Sequence, residues 1–230
     1  SLGLRWPEGG TRTAWRQAVL VPLATLILLG AWFFLLEPLP GTDVRLGGLS
    51  EEVQGPPGAG VDAARLFLLL LGFMIQGGVE ELVVRGYIYR VLKERWAWWV
   101  AAVASSLLFA ALHAANPDFS WVAMLNTFLA GVLLALLVER SGSLWSATLA
   151  HGVWNFAVAC LASLPISGVR TFRLLDLSVQ GPEALTGGGF GPEGSLLLSL
   201  MALPVAAVLW PRRPSSLESP PEDKTRQAAL

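Results

Sequence analysis

The stretch Gly77–Arg90, "GGVEELVVRGYIYR", places Glu80, Glu81 and Arg85 shortly after one of the most apolar runs of the chain, "ARLFLLLLGFMIQ". An ionised side chain in the middle of a bilayer costs about 2.5–3.5 kcal/mol on insertion scales. Three such residues within six positions need a structural or chemical reason. Because ionisable residues inside membrane spans are usually functional, this stretch predicts a membrane helix that carries part of a site.

The composition of the whole chain also indicates a membrane protein. Of the 230 residues, 53% are hydrophobic and only 14% are charged, whereas soluble proteins carry about 25% charged residues. Ten tryptophans suit the two bilayer interfaces. The net charge of −1 provides no basic surface, so we expect no nucleic-acid partner. The single cysteine, Cys160, excludes an internal disulfide.

Apolar runs close to the roughly 20 residues needed to cross a bilayer predict six spans. They cover residues 14–36, 63–92, 97–115, 121–138, 144–164 and 195–210. The second run exceeds one crossing and should project beyond the hydrocarbon. The first is longer than a signal-peptide core, and no small-residue cleavage site follows it. We therefore expect an all-α fold, a polytopic integral membrane bundle of about six transmembrane helices.

The segments between and around these spans are expected to be connections. Residues 37–62 and 165–194 are rich in Gly and Pro and should form loops on the outer side of the membrane. The polar, Pro-rich C-terminus is typical of a disordered segment. The expected organisation is a cytoplasmic segment at residues 1–13, a membrane domain at residues 14–210 with its motif core at 65–160, and a disordered cytoplasmic tail at residues 211–230.

Basic residues predict how the chain is oriented. Lys and Arg are concentrated in cytoplasmic segments of membrane proteins. Here they flank the spans mainly on the side that holds both termini: Arg5, Arg12, Arg16, Arg90, Lys93, Arg95, Arg140, Arg212 and Arg213. We expect both termini in the cytoplasm. The preference for Arg over Lys is typical of a bacterial chain, so the expected location is the bacterial inner membrane.

Helical spacing separates the two adjacent glutamates. Glu81 and Arg85 are four residues apart, with Glu on the N-terminal side, and this spacing predicts an ion pair. Glu80 points about 100° away and has no charged residue three or four positions from it. Its neighbours on that face include Gln76 and Val84. We expect Glu80 to be a free carboxyl suited to proton transfer; the simpler alternative is that it faces water in a cavity or at the interface.

The two histidines of the chain both fall in predicted spans. His113 stands in "LLFAALHAANP", four residues after Phe109, so the two rings should pack together. His151 stands in "ATLAHGVWNF" and shares a helix face with Asn155. A single His or Asn inside a membrane is usually an interhelical hydrogen-bonding group. Together with Glu80, these side chains supply the base and the donors that addition of water to a carbonyl requires.

Three short motifs resemble those of a known family. "EELVVR", "FAALH" and "HGVWN" look like the EExxxR, FxxxH and HxxxN motifs of the CAAX protease and bacteriocin-processing family, also called Abi. Their order and spacing agree over about residues 65–160. The resemblance implies an all-helical intramembrane endopeptidase, with a peptide or membrane-protein segment as substrate and the lipid bilayer as its surroundings.

The resemblance also implies a role for each motif residue. Glu80 and His113 would activate a water molecule, and His151 and Asn155 would stabilise the oxyanion. Glu81 and Arg85 would hold the site together.

The requirement for a metal is open at this stage. Family members are described both as metalloproteases and as glutamate-dependent enzymes without metal. Glu80, His113 and His151 could form a His₂Glu zinc set. HExxH is absent, which excludes the standard zincin layout. We favour the metal-free route because His151 and Asn155 make chemical sense as oxyanion donors.

Other functions remain as alternatives. A small transporter could use Glu80 and His113 as a proton or cation site, although the sequence lacks the internal symmetry common in transporters. A binding or immunity protein could keep the fold without chemistry. A serine nucleophile is disfavoured because Ser105 and Ser106 have no His at helical spacing, and Cys160 lies off the face of His151. Convergence of the motif side chains in one cavity would favour an enzyme, whereas a continuous polar path would favour transport.

One difficulty concerns depth in the membrane. His113 and Glu80 lie seventeen and sixteen residues from Trp96 at the expected inner interface, or about 25 Å at the helical rise. His151 is only six residues past Trp145, or about 9 Å. These depths agree only if the second and third spans begin well inside the cytoplasm or tilt strongly.

Overall fold

The computed structural model describes residues 10–50 and 63–211. Most of the predicted N-terminal segment and nearly all of the predicted tail lie outside the described residues. In chain order, the helices and strands are α1 (Gly10–Leu36), β1 (Asp43–Leu49), α2 (Ala63–Glu81), α3 (Tyr89–Lys93), α4 (Trp98–Leu112), α5 (Trp121–Ser141), α6 (Leu144–Phe156), β2 (Leu175–Gln180), α7 (Glu183–Thr186) and α8 (Leu196–Leu209). Two π-helical segments, Leu82–Ile88 and Ala157–Leu161, and two 3₁₀ turns, Gly188–Phe190 and Pro192–Gly194, complete the list.

Each predicted span is a helix, and the all-α membrane bundle is confirmed. Among the described residues, four helical stretches are long and apolar enough to cross a membrane: Thr13–Leu36, Ala63–Lys93, Trp121–Ser141 and Leu144–Leu161. Helices α4 and α8 are apolar but shorter, with 15 and 14 residues.

The second span is one continuous helix of 31 residues, from Ala63 to Lys93, that changes geometry in the middle. It is α-helical through Glu81, π-helical over Leu82–Ile88 and α-helical again in α3. Such π-helical segments occur frequently at functional sites. Here the change from α-helix to π-helix begins directly after the two glutamates.

Helices α2 and α6 pack with their backbones in close contact, and this packing places the motif residues of the two helices at the same height in the bundle. A Cβ atom added to Gly152 would lie 2.6 Å from Met74 Sδ and 3.0 Å from Met74 Cα, so this approach requires a glycine. The contact brings Glu81 beside His151. The twelve residues from Leu82 to Lys93 continue past this level by about 18 Å. This overhang accounts for most of the chain length between Glu80 and Trp96.

The two predicted outer loops contain a small sheet, which the sequence analysis missed. Strands β1 and β2 pair antiparallel, with Asp43 opposite Gln180 and Leu46 opposite Leu177. Leu177 and Val179 are half-buried and pack against the main apolar core, so the alternation in "LDLSVQ" separates a half-buried side from an exposed side. Because the strands pair, both loops lie at the same end of the bundle.

The main core lies next to this sheet. Trp32 and Leu36 of α1 are fully buried there against Val158 and Cys160, which follow α6. Trp32 Nε1 also donates to Ser195 Oγ at 3.2 Å, at the start of α8. This core holds the C-terminal half of the α6 region in place, and that region carries two of the motif residues.

Candidate active site

The predicted ion pair between Glu81 and Arg85 is confirmed. Arg85 Nη1 donates to Glu81 Oε1 at 2.9 Å, and both side chains are 0% exposed. Arg85 Nη2 also donates to the carbonyl oxygen of Gly131 on α5, at 3.0 Å. The pair therefore joins the long helix to α5 in the interior of the bundle.

Glu81 has a second partner that the sequence analysis did not anticipate. Its Oε1 atom lies 3.0 Å from His151 Nδ1. A carboxylate only accepts, so Nδ1 carries a proton and donates it. This contact fixes the imidazole ring, and His151 Nε2 lies 3.8 Å from Glu80 Oε2. His151 thus stands between the two adjacent glutamates.

Glu80 faces the other way from Glu81, as its helical position predicted, and its side chain is 31% exposed. The expectation of a free carboxyl was wrong in one respect. Gln76 lies one helical turn earlier and donates through Nε2 to Glu80 Oε1. Within the described part of the chain, Glu80 Oε2 is buried and accepts no hydrogen bond. The two oxygens of this carboxylate are therefore inequivalent.

His113 is the C-cap residue of helix α4. The His113 N–H donates to the Ala110 carbonyl and the Ala114 N–H to the Ala111 carbonyl, each three residues back, so the α-helical hydrogen-bond pattern ends at Leu112. The His113 carbonyl accepts from the Asn116 N–H at 3.0 Å. His113 Nδ1 lies 2.8 Å from the Phe109 carbonyl and donates to it, which leaves Nε2 as the acceptor nitrogen of the neutral ring.

Phe109 organises the motif side chains around one ring. Its centroid lies 4.5 Å from that of His113, as the predicted packing required, and 5.9 Å from that of His151. The Arg85 guanidinium lies 4.5 Å from the same centroid and makes a cation–π contact. Phe109 therefore contacts both imidazoles and the guanidinium of the buried ion pair.

Asn155 completes the arrangement from helix α6. Its Nδ2 donates to Gln76 Oε1 at 2.9 Å, and Gln76 in turn donates to Glu80. The sequence analysis listed Gln76 only as a neighbour of Glu80. A polar residue one turn before a glutamate in an apolar span was the available signal.

Four of the six polar motif side chains line one cavity of about 730 Å³: Glu80, His113, His151 and Asn155. The motif residue Phe109 lines it too. Glu81 and Arg85 do not line it and lie behind His151. The rest of the lining is largely apolar and includes Leu68, Val79, Val83, Leu112 and Ile166. The convergence that the sequence analysis set as its criterion for an enzyme is thus present for these four side chains.

Comparison with known proteins finds a family match over the region that carries these residues. The family described as type II CAAX prenyl endopeptidase, Rce1-like, matches residues 62–157, which include every motif residue from Glu80 to Asn155. This match supports the resemblance of residues 62–157 to the CAAX protease and bacteriocin-processing family. An uncharacterized 24.3 kDa protein of Escherichia coli is 33% identical over 88 residues, or 37% of this chain. The aligned region spans about 40% of that protein's length. No solved structure matches the chain.

One wall of the cavity is formed by a turn that lies outside the matched residues 62–157. Residues Ile166–Val169 form this turn, and Ile166 and Ser167 line the cavity. Asn116 Nδ2 donates to the Ser167 carbonyl at 3.0 Å. A Cβ atom added to Gly168 would lie 2.0 Å from the Pro117 carbonyl oxygen, so only glycine fits here. The turn thereby supports the segment that carries His113.

Glu193 anchors the same turn from the far side. Its Oε2 accepts from the Ser167 N–H at 2.9 Å and from Ser167 Oγ at 2.6 Å. Its Oε1 accepts from Trp154 Nε1 at 3.0 Å, next to Asn155 on α6. These bonds hold Ser167 in the left-handed region, with φ of 48°. Sequence reasoning missed Glu193 because its partners are 26 and 39 residues away.

The family resemblance implies that zinc could bind in this site through Glu80, His113 and His151. Within residues 10–50 and 63–211, no group of three His, Cys, Asp or Glu side chains lies close enough together to hold a metal ion. Glu80, His113 and His151 line one cavity without forming such a set.

Proposed function

We propose that this protein is an intramembrane endopeptidase that hydrolyses a peptide bond in an apolar or membrane-associated segment. The observation that carries the proposal is the convergence of Glu80, His113, His151 and Asn155 on one cavity. The family match supports a protease. The apolar lining supports a substrate whose side chains are themselves apolar, because burial of apolar surface favours binding.

In the proposed first step, Glu80 acts as general base. Its carboxylate takes a proton from a water molecule as the water oxygen forms a bond to the scissile carbonyl carbon. The electron pair of the C=O bond moves to the carbonyl oxygen. His113 Nε2 is an acceptor in the same cavity and can orient the second hydrogen of the water.

The proposed oxyanion donors are Asn155 and His151. The Asn155 amide carries two N–H groups, so one can serve Gln76 while the other serves the oxyanion. Because His151 Nδ1 already donates to Glu81, Nε2 donates only when the ring is protonated. The carboxylates of Glu80 and Glu81 flank that ring and stabilise its positive charge.

The second step returns the proton. Glu80 protonates the leaving nitrogen, the C–N bond breaks, and the products are a new carboxyl group and a new amine. Glu81 and Arg85 do not touch the reacting atoms in this scheme. They orient His151 and hold the helices in register.

The test of the proposal is a comparison of new peptide N-termini in membranes from cells that carry wild type, Glu80→Gln or Glu94→Gln. Glu94 is exposed at the end of the long helix and serves as a matched control. We expect a set of N-termini in wild type and Glu94→Gln that is missing in Glu80→Gln. No such set, together with a Glu80-dependent proton flux in liposomes, would support the transport hypothesis.

The metal-free route is part of the proposal and has its own test. Purified wild type should cleave at the same rate before and after treatment with a zinc chelator. Loss of one zinc per chain together with activity, and recovery of activity when zinc is added, would assign the chemistry to a metal. That result would retain the protease and overturn the role given to the two oxyanion donors.

We also propose that both termini face the cytoplasm of a bacterial cell, with the β1–β2 sheet on the outer side. The basic flanks of the spans support this orientation. In a Cys160→Ala background, a cysteine introduced by Ser178→Cys should react with a membrane-impermeant maleimide in intact spheroplasts. Labelling only after lysis would reverse the orientation.

A further inference from the structure

We propose that Gln76 is a positioning residue that couples the carboxylate of Glu80 to the donor orientation of Asn155. The catalytic consequence of this inference rests on the proposed function. The structural part stands on a continuous chain of hydrogen bonds. Asn155 Nδ2 donates to Gln76 Oε1 at 2.9 Å, and Gln76 Nε2 donates to Glu80 Oε1.

The direction of this chain follows from the chemistry of its members. A carboxylate can only accept, so it requires Gln76 to turn its NH₂ group toward Glu80. The amide oxygen of Gln76 then points toward Asn155 and requires a donor there. Asn155 must therefore present Nδ2 instead of Oδ1 on this side. The charge on Glu80 makes the first bond of the chain the stronger kind, because hydrogen bonds to ionised groups exceed neutral ones.

The coupling matters because an asparagine amide can rotate by 180° and exchange its oxygen for its nitrogen. An oxyanion is stabilised by an N–H group and repelled by a carbonyl oxygen. With Gln76 in place, the nitrogen end of Asn155 is held at the cavity, where its second N–H group remains for the substrate. Without Gln76, that preference is lost.

Gln76 also makes the two oxygens of Glu80 different. Oε1 is occupied by the Gln76 donor, whereas Oε2 is buried and accepts no hydrogen bond from the described residues. Oε2 is also the oxygen that lies 3.8 Å from His151 Nε2. Gln76 and His151 thus each lie next to a different oxygen of the Glu80 carboxylate.

The chain contains a second glutamine that serves as a matched control for a purely structural role of Gln76. Gln17 on α1 also reaches α6, where its Oε1 accepts from Ser146 Oγ at 2.8 Å. Gln17→Leu and Gln76→Leu each remove one interhelical hydrogen bond to α6 and introduce the same side chain. Gln17 does not line the cavity. Any effect on Asn155 that is specific to Gln76→Leu therefore reports the coupling.

The first experiment reads the Asn155 amide directly and needs no substrate. The chain contains three asparagines, at positions 116, 126 and 155, so ¹⁵N-asparagine labelling yields three side-chain NH₂ groups for NMR. We expect Gln76→Leu to shift the Asn155 signals and leave those of Asn126 unchanged. Gln17→Leu should leave the Asn155 signals in place. Asn155 signals that move no more in Gln76→Leu than in Gln17→Leu would overturn the proposal.

The second experiment measures the catalytic consequence. The probe is a fluorophore–quencher peptide spanning the cleavage site that the comparison of N-termini identifies. Gln76→Leu should lower kcat by about 10–100-fold, less than the loss of the donor itself, with KM changed by less than about twofold. Gln17→Leu should leave both constants unchanged. An unchanged kcat in Gln76→Leu would overturn the coupling to catalysis.

Gln76→Glu adds a pH readout that a structural role would not produce. The introduced carboxylate can accept from Asn155 but cannot donate to Glu80. Because the introduced carboxylate and Glu80 would share protons as a coupled pair, the pH profile of kcat for this variant should differ in shape from that of wild type. A pH profile parallel to that of wild type would count against the proposal. If wild type cleaves nothing, the proposed function fails, and the NMR experiment still decides the role of Gln76.

Discussion

Glu80 and Glu81 are neighbours in the chain and occupy opposite environments. Glu81 is 0% exposed and binds Arg85 and His151 in the interior, whereas Glu80 is 31% exposed and lines the cavity. The difference arises from a rotation of about 100° per residue on one helix. A glutamate side chain can therefore stabilise the structure or act as a candidate base, according to the helix face on which it lies.

The buried side of this helix, which carries Glu81, and the cavity side, which carries Glu80, both contact His151. This ring lies 3.0 Å from Glu81 Oε1 and 3.8 Å from Glu80 Oε2. The buried side therefore orients the group that the cavity side uses. Substitutions on the buried side should change stability first, and substitutions on the cavity side should change turnover first.

The largest effect on stability is expected for Arg85→Ala. It leaves Glu81 buried without its guanidinium partner, and breaking such a pair costs about 3–5 kcal/mol. The amount of folded protein and its melting temperature in detergent should both fall. The control is Lys93→Ala, which removes the exposed ion pair with Glu139 and should cost less than about 1 kcal/mol. Equal losses for the two variants would erase the distinction between the buried and the exposed pair.

On the cavity side, Asn155→Ala should lower kcat by about 10²–10³, the usual loss for one oxyanion donor. Its melting temperature should change less than that of Arg85→Ala. The matched control is Asn126→Ala, which removes a buried amide that bonds the carbonyls of Glu193 and Ser195 away from the cavity. This control should reduce stability and keep the kcat of the folded protein. A full rate for Asn155→Ala would remove Asn155 from the mechanism.

A smaller effect on stability and kcat is expected for Gly152→Ala, which changes the packing of α6 against α2. The added methyl group would overlap Met74 and force α2 and α6 apart, at a cost of about 1–3 kcal/mol. The contact between Glu81 and His151 should lengthen, so kcat should fall together with stability. Gly30→Ala on α1 meets no atom within 4 Å and should be neutral or slightly stabilising. Identical melting curves for the two variants would contradict the close packing of α2 and α6.

Much of this comparison could be predicted from the sequence because it depends on short-range spacing. The apolar runs predicted the helices, and the i, i+4 spacing predicted both the ion pair of Glu81 with Arg85 and the packing of Phe109 with His113. Helical rotation alone placed Glu80 and Glu81 on different faces. The roles assigned to the motif residues remain predictions.

The features that the sequence did not reveal depend on which helices meet. The contact of Glu81 with His151 spans 70 positions, and that of Asn155 with Gln76 spans 79. Both require the close approach of α2 and α6. The π-helical segment after Glu81 and the β1–β2 pairing have no strong local signature. The hydrogen bond of the Asn116 side chain to the Ser167 carbonyl spans 51 positions and was likewise out of reach.

The central claim is that Glu80 is the base and Glu81 is scaffold, and the most direct measurement is the cleavage rate of purified, folded Glu80→Gln relative to wild type. The account predicts a melting temperature equal to that of wild type and no cleavage above background, because the amide keeps the shape of the carboxylate but cannot take a proton from water. Cleavage by folded Glu80→Gln at the wild-type rate would contradict the account.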